Sequence, residues 1–177
     1  MPPTMNNGPK MNHEKKRTLF DSFRDAFHGV WYCLKSERNM RVHLAVCCYV
    51  FFFASRLSLS RGEMAALALT SGAVLSAETM NTAMERLCDF AQRQRNPFIR
   101  AVKDMAAGAV LLCALAAVIV GLCVLCRPEL WQVLIDLCSG PFSLGLFLLS
   151  LIVAAVFVFV GPERLGDFVS RDKQRKK

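Results

Sequence analysis

Residues 65–85 read Ala65-Ala66-Leu67-Ala68-Leu69-Thr70-Ser71-Gly72-Ala73-Val74-Leu75-Ser76-Ala77-Glu78-Thr79-Met80-Asn81-Thr82-Ala83-Met84-Glu85, and this stretch decides the fold. It begins apolar and turns polar, as a helix leaving a membrane should. Glu78, then Asn81 or Thr82, Glu85 and Asp89 recur at i, i+3 or i+4, i+7 and i+11. That spacing puts them on one helix face, over roughly 16 Å at 1.5 Å per residue. A carboxylate inside the membrane boundary costs on the order of a few kcal/mol unless it is paired, metal-bound or hydrated, so Glu78 is a functional candidate. A structural ion pair and a carboxylate kept protonated are the alternative readings.

The rest of the chain fits a bilayer. Its 177 residues are 54% hydrophobic, enough for one domain but too apolar to hide inside a water-soluble core. The net charge of +8 comes from Lys and Arg in blocks between apolar runs. No basic face interleaved with aromatics is present, which argues against nucleic acid as a partner. Five of the eight cysteines, Cys47, Cys48, Cys113, Cys123 and Cys126, lie in apolar segments. The lone Cys123-x-x-Cys126 pair lacks the second pair or nearby His of a zinc site, so reduced packing residues are expected.

Outward from the quoted stretch, the segments follow from periodicity and breakers. Residues 1–17 are polar and basic without an apolar core, unlike a secretory signal, and read as a cytoplasmic tail in which Met5 and Met11 offer alternative starts. Residues 18–36 place Leu19, Phe20, Phe23, Ala26, Phe27, Val30, Trp31 and Leu34 on one face and charges on the other, the pattern of an amphipathic helix lying in the membrane interface. Membrane helices are expected over about 42–59, 63–90 and 101–126, with Arg61-Gly62 as a tight turn and Asn96-Pro97 as a break. Residues 127–141 form an external amphipathic connector, 142–160 a fourth membrane helix stopped by Gly161-Pro162, and 161–177 a basic tail. Lys and Arg number eight up to Arg41, two in the first turn, five from Arg86 to Lys103, one at Arg127 and six in the tail. The positive-inside rule then puts both termini and the middle loop in the cytoplasm.

Further candidates stand at the same cytoplasmic boundary. Mg²⁺ favours a few carboxylates completed by phosphate oxygens, which suits Glu85 with a second acid, and Glu37 at the end of the interfacial helix is the natural one. Lys103-Asp104 opens the next membrane helix. No Walker or glycine-rich loop occurs, so phosphate contacts must come from side chains and helix ends.

Four ordered blocks carry a family resemblance: Ser22-Phe23-x-x-Ala26-Phe27-x-Gly29, Ser36-Glu37-Arg38-Asn39-Met40-Arg41-Val42-His43, Ala77 to Glu85 with Asp89, and Lys103-Asp104-Met105-Ala106-Ala107-Gly108-Ala109. From Ser22 to about Cys126 the chain resembles the small bacterial membrane diacylglycerol kinase and undecaprenol kinase family. The resemblance implies an all-α integral membrane protein with a three-helix kinase core (18–126), to which the fourth helix is an addition. It also implies ATP- and Mg²⁺-dependent phosphorylation of a lipid hydroxyl in the bacterial inner membrane, for envelope lipid recycling. Glu78 would be the general base, and Glu37 and Glu85 the metal ligands. Asn81, Asp89, Lys103 and Asp104 would organise ATP and the catalytic carboxylate, while Ser22, Gly29, Asn39 and Arg41 would meet the lipid. A homotrimer is implied, and the first two blocks look closer to the undecaprenol branch than to the diacylglycerol branch.

The chain departs from the family where Gln92-Arg93-Gln94-Arg95-Asn96-Pro97 replaces a Tyr-His type element near the nucleotide, and where Asp25 replaces a tyrosine of one branch. Arg93 and Arg95 are candidate replacement phosphate contacts. Two rival functions use the same residues: an ion-coupled transporter or proton relay through Glu78 and Glu85, and a catalytically inactive membrane adaptor.

Overall fold

The computed structural model describes residues 18–91 and 96–175, with side chains as far as Pro162. The N-terminal tail and the loop residues Gln92, Arg93, Gln94 and Arg95 lie outside the described residues. Among the described residues six helices, α1 (Leu19–Ser36), α2 (Arg38–Ala54), α3 (Arg61–Ala91), α4 (Pro97–Leu125), α5 (Pro128–Ser139) and α6 (Pro141–Arg175), make up the fold.

Local chemistry explains where they begin. Thr18 accepts from the Asp21 backbone N–H while the Asp21 carboxylate accepts from the Thr18 backbone N–H, a capping box that starts α1. The same device starts α3: the Ser60 backbone N–H and hydroxyl donate to Glu63, and Ser60 Oγ accepts from Glu63 N–H. Arg61 and Gly62 are therefore the first turn of α3 and not a connecting turn. Asn96 caps α4 by accepting from the Phe98 N–H, with Pro97 in the first turn, where its missing N–H is harmless.

Several element ends differ from expectation, with α2 starting at Arg38 and α4 at Pro97, each four residues earlier. The helix expected to run to residue 59 stops at Ala54, where Ser55 Oγ donates to the Phe52 carbonyl and its backbone N–H to that of Phe51. At the other end of the chain, α6 continues past 160 to Arg175, broken at Gly161, whose φ of 74° interrupts the helix.

α3 and α4 pair along much of their length, and Arg127 joins Glu63 at one end of that hairpin. α2 packs on α3 and, on its other side, on α6. Phe147 of α6 meets the Tyr49 and Phe53 rings edge-on at 6.2 and 6.3 Å, and the Tyr49 and Ser150 hydroxyls lie 3.2 Å apart. The fourth long helix is thus packed on the core and is more than a lipid-facing addition.

α4 and the 141–162 part of α6 are long and apolar enough to cross a membrane, and little of either is buried inside the protein. α2 is shorter at 17 residues, and the apolar part of α3 gives way to its acids. On α1, Phe20, Phe23, Phe27 and Trp31 are all exposed. An unpacked aromatic face beside such helices suits the membrane interface. The chain is an all-helical membrane protein.

Candidate active site

The buried residues of α3 are Leu67, Val74, Glu78, Asn81, Thr82 and Cys88. Sequence periodicity had put Glu78 and Asn81 on one face, and that face turns inward. Glu78 is 2% exposed and Asn81 8%, whereas Glu85 is half-buried and Asp89 exposed. The stripe therefore runs from a buried carboxylate outward to solvent.

Short contacts organise it. Asn81 Nδ2 donates to Glu85 Oε1 at 3.1 Å, and the Thr82 hydroxyl donates to the Glu78 carbonyl at 3.0 Å. The first bond orients Glu85, while the second is helix back-bonding that leaves the Glu78 carboxylate uninvolved. Glu37, at the α1–α2 corner, and Glu85 are the two acids whose charges bear on Glu78. Glu37 comes from the α1–α2 corner and Glu78 and Glu85 from α3, so the three acids belong to two segments of the chain.

Lys103 of α4 reaches back to Asp89 of α3 and pairs with it. Asp104 does not join them: it pairs with Arg100, 3.8 Å away, and both are well exposed. Of the expected Lys103-Asp104 couple, only the lysine meets the stripe.

Arg86 is the residue that sequence reasoning missed. Its guanidinium lies 3.5 Å from Glu37 Oε1 and over the Tyr32 ring at 5.5 Å, tying α3 to the α1–α2 corner. Being one position past Glu85, it falls about 100° around a 3.6-residue helix from the stripe, so the period that finds the acids passes over it. Its adjacency to Glu85 was the available signal.

Two buried oxygens have no hydrogen-bond partner among the described residues: Asn81 Oδ1 and Ser36 Oγ. One belongs to the stripe and the other precedes Glu37. Leaving such atoms unpaired costs on the order of 1–3 kcal/mol each, so each is open to a hydrogen bond or a metal contact from a ligand. Among the described residues, no group of three or more His, Cys, Asp or Glu side chains could hold a metal by itself. Hard carboxylate and amide oxygens are nevertheless the donor type Mg²⁺ takes, and it commonly takes few from protein.

Of the residues expected to meet lipid, Ser22 and Gly29 on α1 and Asn39 at the start of α2 are exposed. Arg41 is not: it is 7% exposed, with its guanidinium donating to the backbone carbonyls of Leu34, Lys35 and Val158. It thus lies inside the protein, whereas the other three are exposed. A separate apolar cavity of about 880 Å³ lies between α2 and α6, lined by residues such as Leu44, Phe52, Phe147 and Phe157 and with no acid in its wall. All eight cysteines are free.

The Arg86–Glu37 and Lys103–Asp89 pairs tie α3 to the α1–α2 corner and to α4 on either side of the acidic stripe. The family model of prokaryotic diacylglycerol kinase matches residues 24–125. The chain belongs to that family, a family of lipid kinases. It is similar to a diacylglycerol kinase of Synechocystis sp., at 45% identity over 113 residues, which is 63% of this chain and 65% of that protein. It is also similar to an undecaprenol kinase of Bacillus subtilis, at 34% identity over 113 residues, 64% of this chain and 92% of that one. The match thus spans just under two thirds of the Synechocystis relative. No solved structure matches significantly.

Proposed function

We propose that the chain phosphorylates the hydroxyl of a membrane lipid with ATP, with undecaprenol as the acceptor ahead of diacylglycerol. The observation that carries this reading is the burial of Glu78 beside the unpaired Asn81 oxygen, within reach of the Glu37 and Glu85 charges. Relatives named for both lipids support a lipid alcohol as substrate. The preference for undecaprenol rests on the blocks around Ser22 and Ser36 to Asn39.

Phosphoryl transfer asks a protein mainly for charge neutralisation, in-line positioning and an acceptor for the hydroxyl proton. The lipid oxygen attacks the γ-phosphorus of ATP, the bond from that phosphorus to the bridging oxygen of ADP breaks, and the hydroxyl proton passes to Glu78. Glu37 and Glu85, with Asn81 Oδ1 as a neutral donor, would hold Mg²⁺, which when bound offsets phosphate charge. Asn81 keeps Glu85 in position through its 3.1 Å bond. Lys103, anchored on Asp89, and Arg86, anchored on Glu37, supply cations to the nucleotide phosphates. Asp104, on the exposed side of Arg100, is at most a peripheral nucleotide contact.

Placement of the site suits its two substrates. A lipid alcohol keeps its chain in the bilayer while its hydroxyl meets Glu78, and ATP enters at the solvent end of the stripe near Asp89. Ser22 and Gly29, exposed along α1, and Asn39, exposed at the start of α2, lie on the lipid side. In this reading the protein sits in the inner membrane with its site and both termini cytoplasmic, α1 in the interface, and α2, α3, α4 and α6 spanning. A homotrimer is supported by the small-residue face of α4, where Gly108 has no neighbour within 4 Å that would block a close approach by another helix.

The test is purified full-length protein in micelles with radiolabelled ATP, Mg²⁺ and either undecaprenol or diacylglycerol. Label in undecaprenol phosphate at a higher kcat/KM than in phosphatidic acid is expected. Absence of label in both lipids, beside an active control kinase, would sink the proposal.

A further inference from the structure

The fourth long helix lies outside the family match, which ends at residue 125, yet it touches the corner that carries Glu37. The contact is built from backbone chemistry. Pro162 has no N–H, so the carbonyl four residues earlier in α6, that of Val158, loses its helical donor. Arg41 Nε donates to that carbonyl at 3.1 Å instead.

The same guanidinium closes the end of α1. A helix leaves its last four carbonyls without intrahelical partners. Glu37 N–H takes that of Cys33, and Arg41 Nη1 takes those of Leu34 and Lys35 at 3.2 and 2.9 Å. One cation thus bonds the carbonyl ends of two helix segments, where a positive charge also offsets the helix dipole.

Gly161 lets the two segments approach. At its φ of 74° a side chain is strained, and a Cβ there would stand 3.2–3.4 Å from the Arg41 guanidinium carbon and nitrogens. Next to this joint Arg38 stacks on Phe159 at 4.8 Å, and Phe157 packs on the Cys33, Leu34 and Met40 cluster.

We infer that α6, through Gly161 and Arg41, fixes the α1–α2 corner and thereby positions Glu37 for the metal. Arg41 and Gly161 are positioning residues, and the fourth helix is a working part of the kinase site. The consequence for catalysis rests on the reading of Glu37 as a Mg²⁺ ligand, whereas the anchoring of the corner does not.

Two measurements on the full chain in micelles test this. Hydrogen exchange should show amides 34–41 opening about tenfold faster in Gly161→Ala, with the α3–α4 pair unchanged. In the kinase assay, half-saturating Mg²⁺ should rise about tenfold in Gly161→Ala, the size expected when a support behind a metal ligand is lost. The KM for lipid should stay at its wild-type value. Arg41→Lys, which keeps the charge but not the planar fork, should fall between wild type and Arg41→Gln. Because the effect runs through Glu37, the Glu37→Gln, Gly161→Ala double variant should need no more Mg²⁺ than Glu37→Gln alone. Unchanged exchange at the corner, or a double variant whose Mg²⁺ requirement is the product of the two single effects, would overturn the inference. If Glu37→Gln leaves the Mg²⁺ requirement at wild type, the ligand reading of Glu37 falls, and the exchange result decides the anchoring by itself.

Discussion

Replacing Glu78 by Gln keeps the side-chain shape and removes the proton acceptor. In α3 this residue is 2% exposed, so a change of volume would disturb packing, and the near-isosteric Gln avoids that. A positioned general base contributes about 10²–10⁴ in rate, or roughly 3–5 kcal/mol of barrier at about 1.36 kcal/mol per tenfold. Turnover in the radiolabel assay should drop by that factor. Mg-ATP binding, measured by calorimetry on the micellar protein, should persist, because Glu37, Glu85 and Lys103 are untouched. Stability should not fall, since a neutral amide relieves the repulsion among Glu78, Glu37 and Glu85. Thermal unfolding followed by far-UV circular dichroism reports this separately from activity. Turnover within about tenfold of wild type would refute the base assignment, because so small a loss is below what a general base supplies. A collapse of the thermal midpoint would refute the argument that the buried charge is tolerated for chemistry instead of structure.

Other substitutions probe the surrounding parts. Glu85→Gln should weaken Mg-ATP binding by about tenfold or more as well as slowing turnover, read as a rise in half-saturating Mg²⁺. Arg86→Met should raise the KM for ATP severalfold while changing stability by less than about 1 kcal/mol, since its ion pair with Glu37 is half exposed, and chemical denaturation checks the second part. At the N-terminus of α1, the Thr18 backbone N–H and hydroxyl hold the Asp21 carboxyl below the usual carboxylate range. A lowered folded value means the cap is intact above the ordinary Asp pKa and is lost as pH falls through the folded value. The first-turn amide resonances of α1 should therefore shift and broaden on acidification below about pH 4, and Asp21→Asn should abolish that dependence.

Much of this site was legible because it obeys one local rule. Glu78, Asn81, Glu85 and Asp89 share a helix face by period alone, and an acid in an apolar helix is too unfavourable to be incidental. Glu37 was reachable because it ends an amphipathic pattern at the same boundary. The capping box Ser60-x-x-Glu63 was equally local, yet the Arg61-Gly62 pair that follows Ser60 suggested a turn and hid the helix start. Arg86 escaped because its partners, Tyr32 and Glu37, are distant in sequence and its register differs from the stripe by one residue. Asp104 was placed by adjacency to Lys103, and neighbouring helix positions face different ways.

Arg41 divides the two kinds of knowledge most clearly. The family resemblance of Ser36-Glu37-Arg38-Asn39-Met40-Arg41 implies a lipid contact for it, and nothing local says otherwise. Only the return of α6 brings Val158, 117 residues away, to its guanidinium. By itself the sequence determined the membrane class, the order of the helices and the spacing of the acidic stripe, because these follow from hydropathy and helical period. Tertiary structure alone decided which charges pair across helices, which stripe residue is sealed from solvent, and that the fourth helix holds the Glu37 corner. Those outcomes depend on burial and on orphaned backbone carbonyls meeting donors from far along the chain, and no local pattern encodes them.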